Sequence, residues 1–487
     1  MVNTRTASFQ QALVTFGSIV VVIGIGLFYL QTSLHSLMLI CLLIASVSAW
    51  RLGYNFTAIR DAMNSGISGA MSAIYIFLLI GVLIAAFIEG GTLATLIYYG
   101  VDFIQPALFL PAGLILCSLM SVATGTSWGT VGTAGVVLMG IGAAMNIPLP
   151  LVAGMVISGA CFGDKMSPVS DTTNLSAMSS GTDLYTHIKS MLYTTGPAYL
   201  LTLAAFSFLG MSYAENSLPA EELNTLMAGL ESSYTISLIN LLPLVIMLTL
   251  SLRRVAAEPA MMAAAITAVA LALTLQGSDL TTVLGALYNG GSGQTGIETL
   301  DKLLGRGGIS SMMWTLSLSL MALALGGILT RFDFLKILIT GILIRVKRGA
   351  TLVATTIMTC FVGNMTMGEA YMSIILGGQL FGDAYDEKDI DRSVMSRSLE
   401  EGATLTTALI PWTTGGAFFA STLGVSVLEY APWALLNWLN PVLSIVFAYL
   451  GIAIFKAGSK TPSQVKNQAQ AQPDNQTTSK AQATETA

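Results

Sequence analysis

Apolar runs long enough for a helix to cross a bilayer recur along this chain, and each such helix needs about 20 residues. Residues 13–30, 37–50, 70–88 and 108–123 are of this kind, and more follow on both sides of the middle. The runs are continuous rather than alternating, which favours spanning helices over barrel strands. Soluble domains carry about a quarter charged residues, whereas only 10% of this chain is charged and 54% is apolar. The chain therefore reads as an all-α polytopic membrane protein with about 11–13 spans, broken ones included. Cys41, Cys117, Cys161 and Cys360 stand singly inside apolar runs and read as packing residues. There is no basic patch for nucleic acid. No cofactor and no enzymatic activity are expected.

The first apolar run lacks a small-residue cleavage site and is followed at once by the second, so a retained helical hairpin is expected rather than a signal peptide. Arg5 before it, and Arg51 and Arg60 after it, place the N-terminus and the 51–60 loop in the cytoplasm. The organisation expected is an N-terminal hairpin (1–64), a first repeat (65–210), a connector with two spans and a Gly-rich linker (211–311), a second repeat (312–458), and a disordered polar tail (459–487).

Within this apolar chain residues 161–183 read CFGDKMSPVSDTTNLSAMSSGTD. A charge near the bilayer centre costs roughly 2.5–3.5 kcal/mol on lenient scales, so such residues usually face a cavity and serve function. A second interruption, TGTSWGTVGT, covers 124–133. Helices interrupted in mid-membrane are the usual pointer to a transporter's binding site, because unwound backbone exposes carbonyls and helix ends.

A shift of 243 positions lays the second block on the first without a gap. Gly125 falls on Gly368, Gly135 on Gly378, Gly159 on Gly402, Gly181 on Gly424 and Pro168 on Pro411. Roughly one glycine coincidence is expected by chance, and the aligned points are the interruptions themselves, so a duplicated unit with sites at the repeat interface is predicted. The copies differ in charge. Asp164 and Asp171 are replaced in copy two by Thr407 and Thr414, and Glu369 enters its first break. The main cation site is thus expected in copy one. Asn364, Thr366, Glu369, Thr413 and Thr414 are the candidates from copy two.

Asp171, Thr172, Thr173 and Asn174 offer a carboxylate, two hydroxyls and an amide on consecutive positions, which in an unwound break can converge on Na⁺ or another small hard cation. The alternative is a helix N-cap, for which SDTT is well suited. A proton and a cation competing for one carboxylate are the minimal machinery of an antiporter. Lys165 is read as a charge partner of Asp171, or as a tethered cation that yields to substrate. Glu400 and Glu401 close a charged stretch expected at the membrane surface, one of them at least solvated. His187 reads as a satisfied core histidine. Residues 125–129 match GxSxG, but no strand is expected there and the chain holds only His35 and His187, so a hydrolase is disfavoured.

The stretch from Phe162 to Thr195 closely resembles the signature region of the NhaC family of sodium/proton antiporters, in the ion transporter superfamily. TGTSWGTVGTAG, DKLLGRGGISSM (from Asp301) and GEAYMSIILGGQLF (from Gly368) are similar to the same family. The resemblance implies a multi-pass protein of the bacterial inner membrane, secondary transport, and two inverted repeats with re-entrant hairpins and interrupted helices. Carried onto matching motifs, it implicates Asp164, Ser167, Asp171, Thr172, Thr173 and Asn174, with Thr126 and Ser127 in the facing hairpin. The expected function is exchange of cytoplasmic Na⁺, with Li⁺ a second cargo, for external H⁺. The alternative is a Na⁺/H⁺-coupled carrier of a small carboxylate (malate or lactate type) or an amino acid. A channel is disfavoured. The partners expected are Na⁺, H⁺, the lipid bilayer and a second copy in a homodimer.

Overall fold

A computed structural model describes residues 6–103, 105–214, 220–253, 255–291, 295, 301 and 304–457. The tail expected from 459, the middle of the Gly-rich linker and Arg5 lie outside the described residues. Among those described, regular structure is helical apart from one isolated bridge between Ile390 and Lys456. Nine helices are long and apolar enough to cross a membrane, and up to twelve if each of three bent pairs is one span.

The N-terminal hairpin is α1 (Phe9–Phe28) and α2 (Leu34–Arg51). The 51–60 segment, read from sequence as a loop, instead leads into α3 (Phe56–Ser68), because Asn55 accepts a hydrogen bond from the Ala58 N–H and caps a new helix. Copy one holds α4 (Met71–Glu89), α5 (Thr92–Phe103), α6 (Pro106–Thr124) and α7 (Ser127–Ala144). It continues with α8 (Leu149–Met166), α9 (Asp171–Ser180) and α10 (Leu184–Met211). The connector contributes α11 (Ala220–Ser233), α12 (Leu242–Leu252), α13 (Ala257–Thr274) and α14 (Leu280–Asn289). Copy two holds α15 (Gly308–Arg331), α16 (Phe334–Leu343), α17 (Gly349–Met367) and α18 (Ala370–Glu387). It ends with α19 (Arg392–Thr407), α20 (Thr414–Leu423) and α21 (Leu435–Tyr449).

The 243-residue shift carries both ends of α6, α7 and α9 onto those of α17, α18 and α20. The shared glycines have physical reasons. Gly125 and Gly368 end the first helix of each break in the left-handed region (φ 71° and 69°), as Gly181 and Gly424 end the second (φ 72° and 67°). Gly159 lets α8 approach the α6 backbone, where an added Cβ would stand 2.6 Å from the Leu114 carbonyl oxygen. Gly402 does the same for α19 against α17, 2.5 Å from the Ile357 oxygen. Leu114 and Ile357 are themselves equivalent under the shift.

Contacts between the copies are reciprocal. α9 rests on α18 and α19, and α20 rests on α7; α10 packs on α19, and α21 packs on α8. Each copy thus lays its second break helix on the other's first break, as a pseudo-two-fold pair must. Trp128 of α7 stacks on Phe418 of α20, ring centroids 4.4 Å apart. The N-terminal hairpin packs on α15 and α16 of copy two, and α13 and α14 pack on α4 of copy one.

Candidate ion-binding site

The first break of copy one is short. α6 stops at Gly125, whose N–H bonds the Ser121 carbonyl at 2.8 Å, and Thr126 caps α7 by accepting the Gly129 N–H at 3.3 Å. The long unwinding read over 124–133 is therefore a two-residue turn, and Val131–Gly135 forms a buried π turn instead. The second break is as compact. α8 continues through Met166, the chain turns over 167–170, and Ser170 caps α9. The two breaks touch, since a Cβ on Gly125 would stand 3.0 Å from the Val169 backbone carbon. Ser167 Oγ ties them by donating to the Val122 carbonyl at 2.7 Å.

The expected convergence of residues 171–174 does not occur. They form the first turn of a regular helix, and their side chains point apart. Asp171 is exposed, and the charge acting on it is another acid, Glu258. Thr172 Oγ1 donates to Glu400 at 3.0 Å. Thr173 Oγ1 donates to the Asp164 and Lys165 carbonyls at 3.3 and 3.2 Å. Asn174, exposed, donates to the Pro168 and Ser170 carbonyls at 3.0 and 2.7 Å. The capping role weighed for SDTT is present, with Ser170 as the cap.

What the two breaks share is Asp164. It is buried, 7% exposed, and Ser127 Oγ donates to its Oδ2 at 2.7 Å. A similar pair closes copy two. Thr414 Oγ1 donates to Glu369 Oε2 at 2.5 Å, and the Ala370 N–H donates to Oε1 at 3.0 Å. Under the shift Glu369 is the equivalent of Thr126 and Thr414 of Asp171, whereas Ser127 and Asp164 fall on Ala370 and Thr407, so the two copies build their pairs from different positions. The remaining copy-two candidates bond backbone carbonyls or neighbouring hydroxyls rather than Glu369. Asn364 bonds Ala403, Thr406 and Ser373. Thr366 donates back to Val362 and Gly363. Thr413 donates to the Thr407 carbonyl at 2.6 Å and caps α20.

The reading of Glu400 and Glu401 as surface residues is wrong. Both are fully buried, as is every residue of α19 from Ser393 to Thr407. Each Glu400 oxygen accepts a hydroxyl of α9, Oε1 from Thr172 and Oε2 from Ser176. Glu401 Oε1 accepts from Thr194 at 2.5 Å. Arg397 donates to the Ser190 and Ala453 carbonyls. Lys165 does not face Asp171. Its ammonium, fully buried and without a hydrogen-bond partner among the described residues, lies in the field of Glu401 and Glu400. His187 is also buried, with Nδ1 2.5 Å from Ser396 Oγ. The signal for this cluster was in the sequence. The shift lays α19 on the spanning α8, and its Ser, Thr, Ala and Gly residues leave no greasy face for lipid.

Tyr371 lies within electrostatic reach of Glu369, Asp171, Asp164 and Glu400, so these acids belong to one region. Five acids (Asp164, Asp171, Glu369, Glu400 and Glu401) stand against two bases (Lys165 and Arg397), an excess that suits a cation or protons.

The profile of the Na⁺/H⁺ antiporter family matches residues 4–160 and 159–452. The chain is 37% identical over 456 residues to the Na⁺/H⁺ antiporter NhaC of Alkalihalophilus pseudofirmus, covering 93% of this chain and 98% of that one. The chain belongs to the Na⁺/H⁺ antiporter family. It is also 36% identical over 456 residues to the malate-2H⁺/Na⁺-lactate antiporter of Bacillus subtilis (92% and 97% covered). Identity to the arginine/ornithine antiporter ArcD of Halobacterium salinarum is 33% over 452 residues (92% and 93% covered). This antiporter is thus a multi-pass bacterial membrane transporter and not an enzyme. Its GxSxG match is a helix start, with Ser127 bonded to Asp164 rather than to a histidine.

Proposed function

We propose that this antiporter exchanges cytoplasmic Na⁺ for external H⁺, with Li⁺ accepted by the same chemistry, through competition at Asp164. The observation that carries the reading is the hydrogen bond from Ser127 to buried Asp164 across two helix breaks. A carboxylate and a hydroxyl brought together where two helix breaks meet offer hard oxygens of the kind a small cation takes. When the cation leaves, a proton neutralises the acid that would otherwise stay charged in a low-dielectric interior. Asp171 and Glu258, two acids at the exposed side, would draw cations toward the break. Sodium binding by calorimetry in detergent tests the site. Wild type should bind Na⁺ and release a proton, and Asp164→Asn should do neither. Unchanged binding in that variant would remove Asp164 from the site.

A second reading, a Na⁺/H⁺-coupled carrier of a small carboxylate or amino acid, is favoured by one feature, the buried Lys165 ammonium, which could meet a carboxylate. Relatives named for malate/lactate and arginine/ornithine exchange keep it open. The surplus of acids around Lys165 favours the inorganic cation. The readings separate on whether transport needs an organic solute.

A further inference from the structure

The antiport reading above, on which this inference rests, does not need α19, yet α19 carries two buried acids into the interface. Three features mark the surroundings of Glu400. Both its oxygens are already occupied by hydroxyl donors, Thr172 and Ser176. A fixed cation, Lys165, lies in its field. Both donors sit on α9, the helix that leads away from the Asp164 break. A second metal cation entering here would have to displace two donors and approach an ammonium. A proton needs neither. It can sit on one carboxyl oxygen while the hydroxyl facing it turns from donor to acceptor.

The two acids are also linked mechanically. Consecutive residues of α9 bind them, Thr172 the Glu400 carboxylate and Thr173 the Asp164 carbonyl. The mirror helix, α20, is pinned at its far end, where Arg306 donates to the Leu423 carbonyl at 2.8 Å beside Gly424. A Cβ on Gly181, the equivalent end of α9, would meet nothing within 4 Å. Glu400 holds α9 by hydrogen bonds in its first two turns, while the last turn of that helix packs on α18 at Gly378.

We propose that Glu400 carries a second transported proton, at a site separate from the Asp164 pocket where cation and proton compete, and that its protonation loosens its hold on α9, a step the cycle driven by the pH gradient requires. A hydrogen bond to a charged carboxylate is roughly twice as strong as a neutral one, so the clamp on Thr172 and Ser176 is firm when Glu400 is ionised and slack when it is protonated. The ionisable groups facing this acid are Lys165 and Asp164 from α8, Cys360 from α17 and Tyr371 from α18; Glu401 and Arg397, on its own helix, act on each other and on Lys165. His187 of α10 faces Lys165 and Arg397 behind them.

The test uses the full chain in proteoliposomes, with two modes measured side by side: radioactive Na⁺/Na⁺ exchange at equal pH, and Na⁺ uptake driven by a pH gradient. Glu400→Gln should keep Na⁺/Na⁺ exchange within about twofold of wild type, while uptake driven by the pH gradient falls at least tenfold. Glu400→Asp should restore part of the coupled mode. If Glu400→Gln keeps both modes, or a folded variant loses both, the proton is not carried there. Should Glu400→Gln fail to fold, Ser176→Ala decides. It removes one donor and keeps the acid, so the pH dependence of coupled uptake should move while Na⁺/Na⁺ exchange stays, and an unmoved profile overturns the proposal. A wild type silent in coupled uptake would instead refute the antiport reading itself.

Discussion

Asp164 and Lys165 are adjacent, and helix geometry sends neighbouring side chains to different sides. Asp164 meets Ser127 of the same copy, and Lys165 meets the field of Glu400 and Glu401 in the other. The roles of the two aspartates then differ. Asp171, exposed beside Glu258, should gather cations rather than hold them. Asp171→Asn is expected to raise the half-saturating Na⁺ concentration several-fold with the maximal rate kept, and Asp164→Asn to abolish exchange. A Na⁺ titration of proton movement distinguishes the two, and loss of maximal rate in Asp171→Asn would return that residue to the site. Legibility followed break length. Residues expected near a long unwound segment were grouped with Asp171. The actual turn is short, so helix periodicity sends Thr172 to Glu400 and Thr173 to backbone. Ser127 and Asp164 were readable because they lie in the helix turns that flank the two breaks. Glu400 and Glu401 were missed because Asp386 and Arg392, which pair with each other at 2.6 Å, look like a membrane surface from sequence.

At the scale of elements, small residues set how closely the broken helices approach. A Cβ on Gly163 would stand 2.6 Å from both the Ser121 Cβ and the Val122 nitrogen. Gly163→Ala should therefore destabilise the α6–α8 pair by about 1–3 kcal/mol, read as a lower midpoint of thermal unfolding in detergent. Gly24→Ala on α1, with nothing within 4 Å of the added carbon, should be neutral or slightly stabilising. Equal effects at the two positions would contradict the packing. The start of α10 gives a pH-dependent check. The Thr186 hydroxyl and N–H hold the Asp183 carboxyl below its ordinary range. A depressed carboxyl stabilises at neutral pH, and that contribution is lost as pH falls from about 3.9 through the native value. Asp183→Ala should cost about 1 kcal/mol at pH 7, with the difference from wild type shrinking in acid. The sequence marked Thr182–Asp183 as this helix start because the cap chemistry is local.

For the whole molecule, the reciprocal packing makes α9 and α20 the contacts through which each copy feels the other. We propose that transport moves α9 against copy two. A Cβ on Gly378 would stand 2.6 Å from the Ser179 carbonyl oxygen and 2.7 Å from its Cβ, so any side chain there must push α9 away. Gly378→Ala should therefore impair exchange, read as a fall in Na⁺-evoked proton movement per folded protein; undiminished exchange by that variant would exclude a role for this contact. The duplication was legible because glycines that end helices or admit backbones leave a fixed register. The pairing of acids and hydroxyls at different positions in the two copies was not, because the shift aligns positions and says nothing of which side chains meet. The most direct test of the whole account is a pH-sensitive dye trapped in proteoliposomes containing only this protein and inorganic ions. Adding NaCl outside should move protons out of the lumen at once, in wild type but not in Asp164→Asn. A signal that stays flat until malate, lactate or an amino acid is added would contradict Na⁺/H⁺ exchange at Asp164.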